Sequence, residues 1–181
     1  MMKNTGIRKI IATLAATALF VLLGRLVLIP SGIINTDIAM QYGVLGFSAA
    51  AFGPLSGLLT GLLGHFFVAL GTEYDIWWNW IAASGISGLL IGLGCRKLKI
   101  TEGEFTVKDI IRFNLVQAFS YILAFAFAAP LCDVYIYGEP AVRAFTQGVA
   151  SALYDIVVTA IVGTLLCFAC SDITYSRDFK N

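Results

Sequence analysis

The feature that most constrains this chain is a set of long runs without charge. From Ile10 to Ile29 the only charge is Arg25, and from Ile38 to Gly71 there is none, with His65 taken as neutral. Ile76–Cys95 and Phe113–Leu131 are uncharged, and from Ala144 to Ser171 the only charge is Asp155. A bilayer's hydrocarbon core is ~30 Å thick, so a spanning helix needs ~20 predominantly apolar residues. These runs have the length and composition of spanning helices, and the chain reads as an all-α integral membrane protein. Composition agrees: 13% of residues are charged, against about 25% in a soluble domain.

Ile38–Gly71 is too long for one crossing, because its 34 residues would make a helix of ~51 Å. Gly53-Pro54 breaks it near the middle, since proline removes a donor and restricts the residue before it. The spans are then about 10–29, 38–52, 55–71, 77–95, 109–131 and 144–170, within one transmembrane domain over residues 1–181. Five spans, with 38–71 as one bent helix, would put the termini on opposite sides. Charge decides between the two. With six spans, Lys3, Arg8, Lys9, Arg96, Lys97, Lys99, Lys108, Arg112, Arg177 and Lys180 all fall on one face. The other face carries Asp37, Glu73, Asp75, Asp133 and Glu139, with Arg143 as its only loop cation. Loop cations mark the cytoplasmic side, so six spans with N- and C-termini cytoplasmic are expected. The apolar run after Lys9 continues to Ile29, longer than the apolar region of a signal peptide.

Six spans in 181 residues leave no room for a catalytic or nucleotide-binding domain. The Gly-x-x-x-x-Gly-Lys phosphate loop is absent, so any ATP-driven step belongs to another chain. A net charge of +1 suggests no nucleic-acid partner.

Ionisable residues within spans are costly and are functional candidates. Here they are Arg25, His65 and Asp155. Gln147, Ser151, Asp155 and Thr159 recur every four residues and form one polar stripe on the last span. Asn114, Gln117 and Tyr121 follow three-and-four spacing on span five, and Asn79, Ala83 and Ser87 make such a stripe on span four. Such stripes face a bundle interior or a wet cavity, or join helices through hydrogen bonds. Together with Arg25 and His65 they suggest a small-molecule pocket. Trp77, Trp78 and Trp80 stand where span four begins. They suit an interfacial aromatic belt, or a stacking surface at the pocket mouth built from Trp77 and Trp80, which share a face more nearly than Trp78 does. Ala12-x-x-x-Ala16 permits close helix approach and is the expected partner-docking face; Gly57, Gly61 and Gly64 make a second small face for internal packing. Cys95, Cys167 and Cys170 lack a further ligand for a metal site and read as small hydrophobes. No cofactor or metal is expected.

Taken in order along the chain, these pieces resemble the substrate-binding S components of energy-coupling factor (ECF) vitamin transporters, in a branch grouped with the riboflavin-type S components. The pieces are Gly24-Arg25 with Ile29-Pro30, Asn35-Thr36, Phe52-Gly53-Pro54, Gly64-His65, Trp77-Trp78-x-Trp80 and Ser84-Gly85. The resemblance implies a six-helix protein of a prokaryotic plasma membrane, with a pocket near the outer face and the loop after span one as a lid. It also implies docking on a transmembrane T component driven by two cytoplasmic ATPase subunits. The expected ligand is a water-soluble vitamin or precursor, a thiamine-like pyrimidine or riboflavin. The expected site comprises Arg25, Asn35, His65, Trp77, Asn79, Trp80, Gln117, Tyr121, Gln147 and Asp155. The alternatives are a stand-alone secondary carrier or channel, and an intramembrane serine protease. The latter rests on Gly85-Ile86-Ser87-Gly88, for which His65 is the chain's sole histidine base.

Overall fold

Gly53 and Pro54 divide the long apolar run as their chemistry requires. Gly53 has φ 100°, a region that favours glycine, and Pro54 opens the next helix, where its missing N–H would be unpaired anyway. In the computed structural model, which describes residues 5–33, 36–70 and 76–178, six helices follow one another. They are α1 (Thr5–Leu26), α2 (Gln41–Phe52), α3 (Pro54–Ala69) and α4 (Trp78–Gly94). α5 runs through Val107–Tyr121, a π-helical stretch Ile122–Ala128, and Ala129–Ile136. α6 runs through Ala141–Val158, a second π stretch Thr159–Gly163, and Thr164–Asp178. At the start of α5, Asp109 Oδ2 accepts from the Thr106 backbone N–H at 2.9 Å, satisfying a donor that a helix start leaves open.

Several boundaries differ from the expected spans: α1 begins at Thr5 rather than 10, α2 at Gln41 rather than 38, and α5 ends at Ile136 rather than 131. The last helix extends over 141–178, beyond the expected 144–170. The first stops at Leu26 rather than Ile29, because Pro30 and Gly32 (φ 81°) are unsuited to a helix. The chain forms a hairpin there instead, β1 (Leu28–Ile33) and β2 (Thr36–Ala39), antiparallel with Ile29 opposite Ile38. Hydropathy cannot distinguish this apolar strand from a further helical turn.

The hairpin positions the centre of the molecule. α1, α5 and α6 are long and apolar enough to cross a membrane. α2 has only 12 residues, ~18 Å of helix. β2 packs against α6, with Thr36 and Ala39 buried, and α2 therefore begins well inside the bundle.

Small residues hold the rest together. A Cβ on Gly57 would lie 2.3 Å from the Gly88 carbonyl oxygen, and one on Gly61 2.3 Å from that of Ser84. α3 and α4 are thus in backbone contact, and only glycine permits it. Gly64 admits Phe20 of α1 in the same way. Hydroxyls join α1, α2 and α3, with Thr13 Oγ1 to Ser56 Oγ at 2.8 Å and Ser48 Oγ to Ser56 Oγ at 2.8 Å. Cys95 and Cys167 are buried in the apolar core, with Cys170 packed against it.

The small-residue face of α1 turns inward. Ala16 is buried and Ala12 half-buried. The helix must bury its narrowest side to approach α2 and α3, leaving Ile11, Leu14 and Leu22 outward.

Candidate functional site

The deep start of α2 places Tyr42 at the centre of the bundle. Its ring meets Phe20, Tyr121 and Phe125 edge-on, with centroids 5.7, 5.9 and 5.5 Å away. Its hydroxyl lies 3.0 Å from Ser84 Oγ, and Ser84 Oγ lies 2.7 Å from His65 Nδ1. Ser84 also donates to the Trp80 carbonyl at 3.2 Å. With that hydroxyl proton occupied, Tyr42 O–H and His65 Nδ1–H are the donors to Ser84. The Tyr42 carbonyl accepts from Tyr121 O–H at 3.1 Å and from Thr159 Oγ1 at 3.0 Å.

The two π segments begin at this level. Tyr121 immediately precedes the first and Thr159 opens the second. Wide turns of this kind displace backbone groups from the regular ladder and recur at functional sites. The Ile156 carbonyl, just before the second, accepts from Gln117 Nε2 at 3.2 Å.

Asp155 stands one turn before Thr159. It is 2% exposed and within electrostatic reach of the Tyr42 and Tyr121 hydroxyls. Its Oδ2 has no hydrogen-bond partner. Gln117 is 1% exposed, and its Oε1 is likewise unpaired. Gln41 Oε1 and Asn79 Oδ1 share this state. Gln41 lies apart, against Gly24, where a Cβ would come within 2.7 Å of its Oε1. Buried polar atoms are nearly always paired, so four unpaired acceptors require an explanation.

Toward the hairpin end, Asp133 binds α4 to α5. It accepts from Asn79 Nδ2 at 2.6 Å and from Trp80 Nε1 at 3.0 Å. Asn79 Nδ2 also reaches the Ala129 carbonyl at 3.0 Å, which fixes the amide orientation. Trp77 packs on Tyr137 with centroids 4.9 Å apart. Trp78 turns away, stacked on Phe66 and 58% exposed.

The structure therefore gathers His65, Gln117, Tyr121 and Asp155 around Tyr42, and Asn79 with Trp80 around Asp133. Gln147 lies half-buried on α6, two turns nearer the hairpin. Asn35 falls outside the described residues. Arg25 is not in this group: it is exposed, and its Nη2 donates to the Phe67 carbonyl at 2.6 Å, capping the last turn of α3. Ion pairs among the described residues join Lys99 to Glu102 and Glu104, and Arg143 to Glu139; Arg25 and Asp155 do not meet. Ser87 donates to the Ser84 carbonyl at 2.9 Å, and His65 is bonded to Ser84 rather than to Ser87. Tyr42 and Asp133 complete the site without a sequence signal of their own, and Ser84, one of the pieces of the resemblance, joins Tyr42 to His65. Tyr42 is one aromatic in an apolar run, and Asp133 reads as a loop acid because the uncharged run ends beside it.

Beside this fold and site stand the relatives. A "UPF0397 protein" of Enterococcus faecalis is 43% identical over 166 residues, covering 92% of this chain and 91% of that one. Another, from Staphylococcus aureus, is 41% identical over 164 residues, covering 91% and 89%. The crystal structure of the S component for biotin from an ECF-type ABC transporter superposes with a TM-score of 0.64 at 19% identity, covering 92% of this chain and 93% of that one. It shares the fold. Residues 4–171 match the family described as ECF-type riboflavin transporter, S component. On that match, and on relatives of such identity and coverage, this chain belongs to the family of S components of ECF-type transporters.

Proposed function

We propose that this protein is the substrate-specific component of an ECF-type importer, taking up a water-soluble vitamin or vitamin precursor, a thiamine-like pyrimidine or riboflavin. The observation that carries the reading is the polar centre beneath the hairpin, where Asp155 Oδ2 and Gln117 Oε1 are buried and unpaired. A buried polar atom without a partner costs about 1–3 kcal/mol. A ligand that supplies the partner recovers that cost as affinity. The hairpin and the Asp133 clasp cover the centre from the end at which the substrate enters. Release of Asn79 and Trp80 from Asp133 would open it.

In this reading the hairpin end faces outward, and the end bearing Arg96, Lys97, Lys99, Lys108 and Arg112 faces the cytoplasm with both termini. The protein sits in the plasma membrane of a prokaryote and works with a transmembrane T component and two ATPase subunits. Half-buried Ala12, on the flank of α1, is the member of the Ala12/Ala16 pair still open to the T component.

The test is reconstitution in liposomes with and without T and ATPase subunits, measuring ATP-dependent uptake of B vitamins and their precursors. Accumulation of one of them only with the full set of subunits is expected. Binding of none by the purified protein, or uptake indifferent to the ATPases, overturns the reading and favours a stand-alone carrier. A C-terminal tag accessible from outside intact cells overturns the orientation.

A further inference from the structure

The balance of donors and acceptors at the bundle centre bears on the kind of ligand it takes. The hydroxyls of Tyr42, Tyr121, Ser84 and Thr159 are already occupied. Tyr121 O–H donates to the Tyr42 carbonyl, and Thr159 bonds that same carbonyl and the Tyr121 oxygen. Tyr42 O–H is taken by Ser84, and Ser84 by the Trp80 carbonyl. Gln117 uses Nε2 on the Ile156 carbonyl, and since a carbonyl only accepts, this leaves the amide oxygen as the unpaired atom. Two acceptors on adjacent helices, Asp155 Oδ2 and Gln117 Oε1, thus remain with no donor from the chain.

Cations do not compensate. Among the described residues the buried polar and charged side chains include no Lys or Arg. Arg25 caps α3, Arg143 pairs with Glu139, and Arg112 holds the Gly94 carbonyl at the opposite end, with Nη2 at 2.7 Å. A carboxylate or phosphate on a ligand would be buried here with no cation to pair it, and burial of an unpaired charge is strongly unfavourable. An amino group would supply the donors that both orphaned oxygens lack, and a charge-assisted hydrogen bond to Asp155 is among the stronger kinds. Beside them Tyr42 packs edge-on against Tyr121 and Phe125, an aromatic surrounding that suits a heteroaromatic ring.

We infer that the site selects a neutral or cationic nitrogen heterocycle bearing an exocyclic amino group, with Asp155 and Gln117 as its acceptors, and rejects acidic vitamins. This rests on the reading of the protein as an S component and specifies its ligand class.

A matched pair of ligands tests it. Purified wild-type protein and the variants Asp155→Asn and Gln117→Leu are titrated with 4-amino-5-hydroxymethyl-2-methylpyrimidine and with its 4-oxo analogue, in which the donor becomes an acceptor. Thiamine and biotin are run beside them. A site built on hydrogen bonds discriminates strongly against a mismatched group. Wild type is expected to prefer the amino member by about 100-fold or more and to leave biotin unbound. Asp155→Asn, which offers an amide donor, should lose most of that preference while still unfolding in a single cooperative transition. A structural role for Asp155 would not move the ratio between the two ligands. Equal affinity for the pair, tight binding of biotin, or an unchanged ratio in Asp155→Asn overturns the inference. So does uptake of another vitamin by a protein that binds no amino-bearing probe, an outcome that leaves the transporter reading standing. Failure to bind or import any vitamin overturns both.

Discussion

The α3–α4 and α5–α6 pairs are two solutions to one problem, the packing of antiparallel apolar helices, and they differ in what they leave unpaired. Between α3 and α4 the backbones touch through Gly57, Gly61 and Gly88, and Ser87 returns its hydroxyl to its own helix. Between α5 and α6 both helices carry π stretches, and Gln117 and Asp155 each bury an acceptor without a partner. The first pair is a scaffold, because close contact maximises dispersion and leaves no room to move. The second holds free energy in reserve, because a missing hydrogen bond is recovered only when a donor arrives. The contrast is sharpest at the glycine contacts: toward the hairpin end α4 also takes part in the site, where Asn79 buries an unpaired Oδ1.

The severest way to break this division is to add atoms to the scaffold. Gly61→Leu places a Cβ 2.3 Å from the Ser84 carbonyl oxygen, where backbone, not a flexible side chain, must yield. Overpacking of this kind costs about 3 kcal/mol or more. Solubilised Gly61→Leu should fail to give monodisperse protein, while Gly6→Ala, with nothing within 4 Å, should behave as wild type. A normal yield from Gly61→Leu would mean that the two helices are less tightly joined.

The clasp at the hairpin end comes next. Asp133→Ala strips the acceptor from Trp80 Nε1 and removes one of two from Asn79 Nδ2. Leaving such donors buried costs about 2 kcal/mol, read as a lower unfolding temperature in detergent. No loss there would show that Asp133 does not hold α4 to α5.

A smaller effect of opposite sign sharpens the contrast. Asp155→Asn removes an unpaired buried carboxylate without changing its volume. In the ligand-free protein it should raise stability by about 1 kcal/mol, measured as a higher unfolding temperature, even as ligand selection is lost. A destabilised variant would place Asp155 with the scaffold.

The smallest effect belongs to Arg25. Its one described hydrogen bond is to the Phe67 carbonyl at an exposed position, so Arg25→Ala should cost under about 1 kcal/mol and leave ligand affinity within twofold. A large loss of affinity would return Arg25 to the pocket.

Uncharged runs and the placement of cations are properties of local composition, since hydrocarbon accepts or rejects each segment as a unit. They were enough for six helices, the Gly53-Pro54 turn and the polar stripes through Gln117, Tyr121 and Asp155. Four-residue spacing names a helix face but not its neighbour, so the stripes were legible and their meeting around Tyr42 was not. Nor could composition separate Leu28 and Ile29 in a strand from the same residues in a helix, because a short apolar run fits either. The inward turn of Ala16, the seat of Arg25 on α3 and the lack of a partner for Asp155 were decided by which helices came together. A charge's role depends on the donors within about 3 Å of it, and packing alone sets those distances.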